Sequence, residues 1–404
     1  MGHESLPFSN GSLAANLPAT ARLVTLGKAR HSGRQAADKS RQEEETVMQG
    51  GAFSDQSRRQ FLTGLAASGA ATIIPAGELL AEAAAPRGVI DTHHHFYAPE
   101  YKQASDEFNN QFHIPPIPLI TSWTPEQSLV EMDKGGVQLS VVSLPSTPGL
   151  WFNKGPEMAV KMSRICNDYA ATMVQKYPKR FAFWASLPML DIDASLKEIA
   201  HALDELKADG IGLQTSYGDK WPGDPIYAPV FEELNRRHAV VYFHPLAPAC
   251  CGRIADAAPN PAVLEVPFDS VRAIVSLLMT GSLVKYRNIK WLWSHGGGAM
   301  PMLSGRVNQF VKDDKNQASY APNGVYAELT RLYYDTANAV WKPTWGSLRS
   351  LIPVSQILFG TDYPYFFVDQ VEELGKRGLS AKDLQAVYTG NAKKLLPRLA
   401  KIVA

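Results

Sequence analysis

Cysteine is scarce in this chain. Only Cys166, Cys250 and Cys251 occur among 404 residues, too few for a disulfide framework. The adjacent pair reads as buried thiols in preference to a strained vicinal bridge. A surplus of charge of either sign is also missing. Lys and Arg number 40 against 39 Asp and Glu, a net +1, which excludes a broad electrostatic footprint for nucleic acid or an anionic membrane surface. Long apolar runs are absent as well. The nearest candidate, Phe61 to Ile74, is rich in Ala, Gly, Ser and Thr and too short for the ~30 Å of hydrocarbon that a membrane span must cross. No membrane span is expected. From residue 86 onward there is no internal repeat and no low-complexity tract.

What is present falls into three parts. Residues 1–47 are polar and without periodicity, and read as a disordered leader. Residues 48–85 open on Met48 and carry "SRRQFL" ahead of a mildly apolar, Ala- and Gly-rich run that ends in small residues. This part resembles a twin-arginine export signal, with Arg58 and Arg59 as the pair and cleavage near Ala83–Ala85. The resemblance implies export to the periplasm or beyond. Residues 86–404 form the third part.

There, short β-branched and aromatic runs alternate with amphipathic stretches. Strands are predicted at Val89–His93, Leu139–Leu144, Phe181–Leu187, Ile211–Thr215, Val240–His244, Ile289–Ser294, Leu332–Asp335 and Ile357–Gly360. Between them, segments such as "DIDASLKEIAHALDELKADG" space Leu196, Ile199, Leu203 and Leu206 by three or four, the helical period. In that helix Asp191 or Asp193 can cap the start and Gly210 the stop. Eight strand–helix units predict an α/β fold, a (β/α)8 TIM barrel. The competing open sheet would show a Gly-rich phosphate turn after its first strand, where this chain has "DTHHHF". The Pro-rich segment Ala98–Pro125 reads as an ordered loop over the barrel mouth.

Barrel enzymes gather their chemistry at the C-terminal ends of the strands. Strand 1 ends in His93-His94-His95, strand 5 in His244, strand 6 in His295 and strand 8 in "GTDYP" with Asp362. The period of two puts Asp91, His93 and His95 on one face of strand 1 and His94 on the other. His93, His95, His244 and Asp362 then converge on one point: three imidazoles and a carboxylate, a donor set for one divalent metal. Zn²⁺ suits it first, with Mn²⁺ or Fe²⁺ as alternatives. His295 is left over as a candidate general acid or base. Gly296 to Gly298 after it read as a tight turn, a close approach to ligand, or both. Individually, Trp123, Trp151, Phe152, Trp184 and Tyr363 read as core or rim packing, and alternatively as rings stacking on a substrate.

"IDTHHH", "FHP", "SHGGG" followed by "GR" at 305–306, and "GTDYP" resemble the amidohydrolase superfamily. More narrowly they are similar to its branch of aminocarboxymuconate-semialdehyde, γ-resorcylate and 6-methylsalicylate decarboxylases. The resemblance implies metal ligands at His93, His95, His244 and Asp362, a catalytic histidine at His295 and a carboxylate-binding arginine at Arg306. Two departures stand out. Where binuclear members carry a bridging lysine after strand 4, this chain has Gln214, which implies one metal. The semialdehyde decarboxylase has an arginine before strand 2, yet no arginine lies between Arg87 and Arg164, which favours a more apolar, aromatic substrate.

The expected function is metal-dependent, non-oxidative decarboxylation of an aromatic or unsaturated carboxylic acid, with His295 and Asp362 as catalytic residues. One alternative is hydrolysis of an amide, ester or lactone at the same site. The other is a metal-binding protein without turnover, against which a spare ionisable histidine beside an open metal argues. The partner is a small molecule, and a homodimer is the base-rate expectation.

Overall fold

The computed structural model describes residues 88–111, 113, 118–145, 154–248, 261–366 and 369–403. The leader, the export signal with Met48, Arg58 and Arg59, the aromatic residues Trp151 and Phe152, and the pair Cys250-Cys251 lie outside the described residues. Cys166 is a buried free thiol.

Among the described residues eight strands run β1 (Val89–His95), β2 (Val137–Ser143), β3 (Phe181–Ser186), β4 (Gly210–Gln214), β5 (Val240–His244), β6 (Lys290–Trp293), β7 (Tyr333–Asp335) and β8 (Ile357–Leu358). They pair in sequence order, and each strand runs parallel to the next. The chain just past β8 then bonds back to β1: Thr92 N–H donates to Phe359 O, Asp362 N–H to His93 O and His95 N–H to Tyr363 O. The fold is the expected (β/α)8 barrel, closed along that seam.

Helices α1 (Pro99–Gln111), α2 (Pro125–Lys134), α3 (Pro156–Lys176), α4 (Ile192–Ala200), α5 (Ala228–Arg236), α6 (Glu265–Met279), α7 (Met300–Val311) and α8 (Lys342–Leu351) lie in the connections. Thr124 and Gln127 make a reciprocal capping box at the start of α2, which satisfies two backbone donors that a helix end leaves open. Asp191 caps α4 through Ala194 N–H. Among the described residues no helix is long and apolar enough to cross a membrane.

Two local expectations need correction. Ala98–Pro125 is not a loop throughout, because α1 occupies Pro99–Gln111. Tyr101 and Ser105 are its buried residues, and Ala104 and Phe108 pack against the core, so a helical period is present despite the polar composition. Gly210 does not stop the helix after β3. The chain turns at Lys207, with φ +59°, and Gly210 already opens β4, where a Cβ would lie 2.6 Å from Val240 O.

The barrel interior is filled by Ile90, Leu139, Val141, Ala182, Trp184, Val240, Tyr242, Leu292 and Leu358. The C-terminal residues Leu395, Leu396, Leu399 and Val403 join this cluster and give it an apolar floor. A second, larger cluster joins the outward strand faces to the surrounding helices. The polar ends of β1, β5, β6, β7 and β8 are left to build a site on a rigid base.

Candidate metal centre

The site begins with the two alternate imidazoles of β1. His93 Nδ1 lies 2.9 Å from Asp335 Oδ2 at the end of β7. The carboxylate can only accept, so Nδ1 carries the proton and Nε2 presents its lone pair. His95 Nδ1 meets Ser143 O at 3.2 Å, which fixes the same tautomer. Both Nε2 atoms converge on one oxygen of Asp362, at 3.1 Å from His93 and 2.8 Å from His95. His244 Nε2 lies 3.9 Å from that oxygen. The ligand atoms of His93, His95, His244 and Asp362 all fall within 4.8 Å of one another, and all four residues are buried.

These are acceptors facing acceptors. In their neutral forms nothing among them donates, and His93 Nε2 and both nitrogens of His244 lack a hydrogen-bond partner among the described residues. A cation resolves the conflict. At metal–ligand bonds of about 2.1 Å, tetrahedral donors stand roughly 3.4 Å apart, and the 2.8, 3.1 and 3.9 Å separations of the three imidazoles from Asp362 Oδ1 bracket that value. The residues therefore fit a single divalent metal.

Burial keeps the imidazoles in their ligating form. It drives His244 and His295 down to about 4 and lowers His95 as well. His93 is the exception. Burial pulls it down too, but the charges of Asp335 and then Asp362 outweigh that and take it up to about 10. Burial would raise Asp362, yet the adjacent His93 charge and the histidine hydrogen bonds hold its carboxyl well below the usual range. A proton on His93 and a cation among the four donors are alternative ways of neutralising the same carboxylate.

His295 stands beside this group. Its Nδ1 lies 3.1 Å from Ala337 O and its Nε2 3.8 Å from Asp362 Oδ2. His295 and Asp362 both adopt left-handed backbone, with φ +53° and +65°. Non-glycine residues occupy that region at a cost of about 1–3 kcal/mol each, and here the surrounding bonds hold them to it. His295 N–H donates to Asp335 Oδ1 at 2.8 Å, and Asp362 N–H donates to His93 O. The glycines after His295 serve packing as well as the turn. A Cβ on Gly297 would reach 2.8 Å from the Tyr334 ring, and one on Gly298 would reach 2.2 Å from Pro267 O.

Asp91 does not join the metal donors, although simple alternation placed it on their face. The pairing of β1 with β2 shifts register between Asp91 and His94, and the Asp91 carboxylate meets His94 Nδ1, His93 N–H and the Thr361 N–H and hydroxyl. It ties β1 to the residue before Asp362. His94 faces away from the cluster as expected, stacks on Tyr363 at 4.7 Å and meets Ser128 Oγ through Nε2. Ser128, His94 and Asp91 have the spacing of a nucleophile relay, but all three are 0% exposed, so no substrate can reach them.

A model described as amidohydrolase matches residues 90–398. The chain belongs to the amidohydrolase family. This amidohydrolase is 32% identical over 328 residues to the decarboxylase yanB of Aspergillus niger, covering 76% of this chain and 87% of that one. It is 31% identical over 334 residues to the 6-methylsalicylic acid decarboxylase acuB of Aspergillus aculeatus, covering 78% and 98%. Its fold is similar to that of a dihydroxybenzoic acid decarboxylase of Polaromonas solved with manganese and the inhibitor 2-nitroresorcinol. That match has a TM-score of 0.67 at 22% identity, over 77% of this chain and 97% of the other.

The other candidate residues of this amidohydrolase lie further out. Trp184 is buried on β3, donates through Nε1 to Thr92 O and stacks on Tyr242, with ring centroids 5.8 Å apart. It shares a small cavity with His244 and Gln214. Trp123 is buried and donates to Ser128 Oγ, the atom that also meets His94. Trp123 and Tyr363 thus group around His94. Arg306 is exposed on α7 with its guanidinium 4.9 Å over the Phe310 ring.

Sequence reasoning missed three residues. Asp335 holds both His93 and His295, and its place as the last residue of a predicted strand was the available signal. Tyr365 packs edge-on against His95 at 5.6 Å, immediately after the "GTDYP" motif. Gly360 clears room for a ligand, since a Cβ there would lie 2.8 Å from His93 Cβ.

Proposed function

We propose that the chain catalyses the metal-dependent, non-oxidative decarboxylation of an aromatic carboxylic acid, with Zn²⁺ as the resident metal and Mn²⁺ able to replace it. One observation carries the reading. A buried, acceptor-only cluster lies beside a spare imidazole whose free nitrogen faces the same carboxylate at 3.8 Å. The decarboxylases yanB and acuB, alike over most of their length, support it.

The cation held by His93, His95, His244 and Asp362 would supply a Lewis acid that fixes and neutralises substrate oxygens. His295 carries the proton. Its Nδ1–H is committed to Ala337 O, so Nε2 is free to take up one proton from solvent as the substrate carboxylate binds and to deliver it to the ring carbon bearing that carboxylate. A C–H bond forms there from the ring electrons. The C–C bond to the carboxylate then breaks, its electron pair restores aromaticity, and CO₂ leaves. The bonds from His295 N–H to Asp335 and from Asp362 N–H to His93 O hold the two groups in fixed register during these steps. Arg306 as a carboxylate partner, and Trp151, Phe152 and Trp184 as ring contacts, belong to the same proposal, as does export under Arg58 and Arg59; Trp123 and Tyr363, packed around the buried His94, do not.

The test is direct. Protein loaded with Zn²⁺ or Mn²⁺ is given 6-methylsalicylate, other hydroxybenzoates, lactones and aryl esters, and CO₂ and acid are followed. CO₂ release that is lost in His295→Ala, with metal content retained, is the expected result. Acid release without CO₂ would replace decarboxylation by hydrolysis.

A further inference from the structure

The three ligand histidines are not equally supported. A metal-bound imidazole normally passes its remote N–H to an acceptor, which fixes the tautomer and raises ligand basicity. His93 uses Asp335, and His95 uses Ser143 O. His244 Nε2 is the nitrogen turned toward Asp362, at 3.9 Å, so Nδ1 is its remote nitrogen. That nitrogen has no partner among the described residues. A buried donor left so is destabilising.

A matching acceptor stands next to it. Gln214 pairs in register with His244 across β4 and β5, and residues at one level of neighbouring parallel strands share a face. Gln214 is 4% exposed, and its Oε1 also has no partner among the described residues. Its backbone is fixed, with N–H donating to Tyr217 Oη at 2.9 Å. Gln214 and His244 line one small cavity with Ser143, Ser186 and Tyr242. The cavity has room for about one water, and its walls offer the two or more polar groups that a buried water needs.

We infer that Gln214 is a positioning residue for the metal centre. An ordered water in this cavity accepts a hydrogen bond from His244 Nδ1–H and donates one to Gln214 Oε1, so that the proton stays on Nδ1 and His244 presents Nε2 to the cation. The inference rests on the metal-centre reading of the proposed function and adds the support of its third histidine. Gln214 touches neither substrate nor cation in this arrangement and acts through His244.

Gln214→Leu removes the acceptor at nearly constant volume, and Gln214→Met does so at full side-chain length if Leu disturbs folding. Gln214→Glu keeps an acceptor oxygen. Zn²⁺ affinity is read by chelator competition, and the visible absorption of the Co²⁺-loaded protein reports ligand geometry without any turnover. The expected result is affinity 10–100-fold weaker in the Leu or Met variant, with a changed Co²⁺ spectrum, and Glu within about threefold of the parent. Leu and Met variants with the parent's affinity and spectrum would overturn the role of Gln214 while leaving the metal centre intact. A parent chain that binds neither Zn²⁺ nor Co²⁺ would overturn the metal centre itself.

Discussion

Replacing Asp335 by Asn isolates the bond that makes His93 a ligand. The carboxylate is fully buried and accepts three times: from His93 Nδ1 at 2.9 Å, His295 N–H at 2.8 Å and Ala337 N–H at 3.0 Å. Two of those donors are backbone groups and cannot change character. The Asn carbonyl therefore stays with them, and its NH₂ turns to His93 Nδ1. Two donors cannot face each other, so His93 shifts to the tautomer with the proton on Nε2, the atom aimed at Asp362. The cation then loses one of four donors. Altered support of a ligand histidine typically weakens binding 10–100-fold, about 1.4–2.7 kcal/mol. Folding should suffer less, because both backbone bonds survive. Asp335→Ala is the wrong variant, since it orphans three buried donors at about 1–3 kcal/mol each, a large share of a stability of roughly 5–15 kcal/mol. Chelator competition for Zn²⁺ and a thermal melt of the metal-free protein give the two quantities. An Asn variant with the parent's Zn²⁺ affinity would refute the reasoning.

Gly360→Ala places a methyl group 2.8 Å from His93 Cβ; metal content measured after dialysis should fall at least tenfold, and unchanged content would show that the seam can yield. Glu328 accepts from Arg287 and Arg331, and these bonds lower its carboxyl below the usual value although burial opposes them. Its contribution is thus present above the unfolded carboxyl value of about 4.3 and is lost as pH falls through the lower folded value. Glu328→Gln should cost roughly 2 kcal/mol in denaturant melts at pH 7, with the difference from the parent shrinking toward pH 3, and a pH-independent difference would exclude the ion pairs as its source. Changing Arg58 and Arg59 together to Lys should leave precursor inside an expressing cell whose export machinery reads the arginine pair; fractionation with undiminished export would remove that reading.

The barrel was legible because its strands are buried on both faces and read as apolar runs, while the helices between them show their own period. Histidines at three strand ends and an aspartate at a fourth were legible for the same reason, since a strand end fixes where a side chain goes. What escaped depends on contacts between distant strands. Asp335 is one acid in "YYD" until β7 and β1 meet across the barrel. The place of Asp91 could not follow from a strict period of two, because the pairing of β1 with β2 slips between Asp91 and His94. Helix α1 was hidden by its polar composition, although Tyr101, Ala104, Ser105 and Phe108 keep the helical spacing. Gly210 was assigned to the wrong element because glycine ends helices and also permits close strand packing, and only Val240 O decides between the two.

The seam that closes the barrel has a consequence for when the protein can acquire its metal. His93 and His95 are made almost at the start of the barrel and Asp362 near its end, and the bonds that join their strands are the closing bonds of the ring. A ribosome that has released everything up to β7 has delivered three of the four donors, but no ring to hold them. The complete four-donor site therefore exists only after ring closure, and a cation bound by all four in turn holds the ring shut. Loss of metal should open the molecule first between its oldest and its youngest strand.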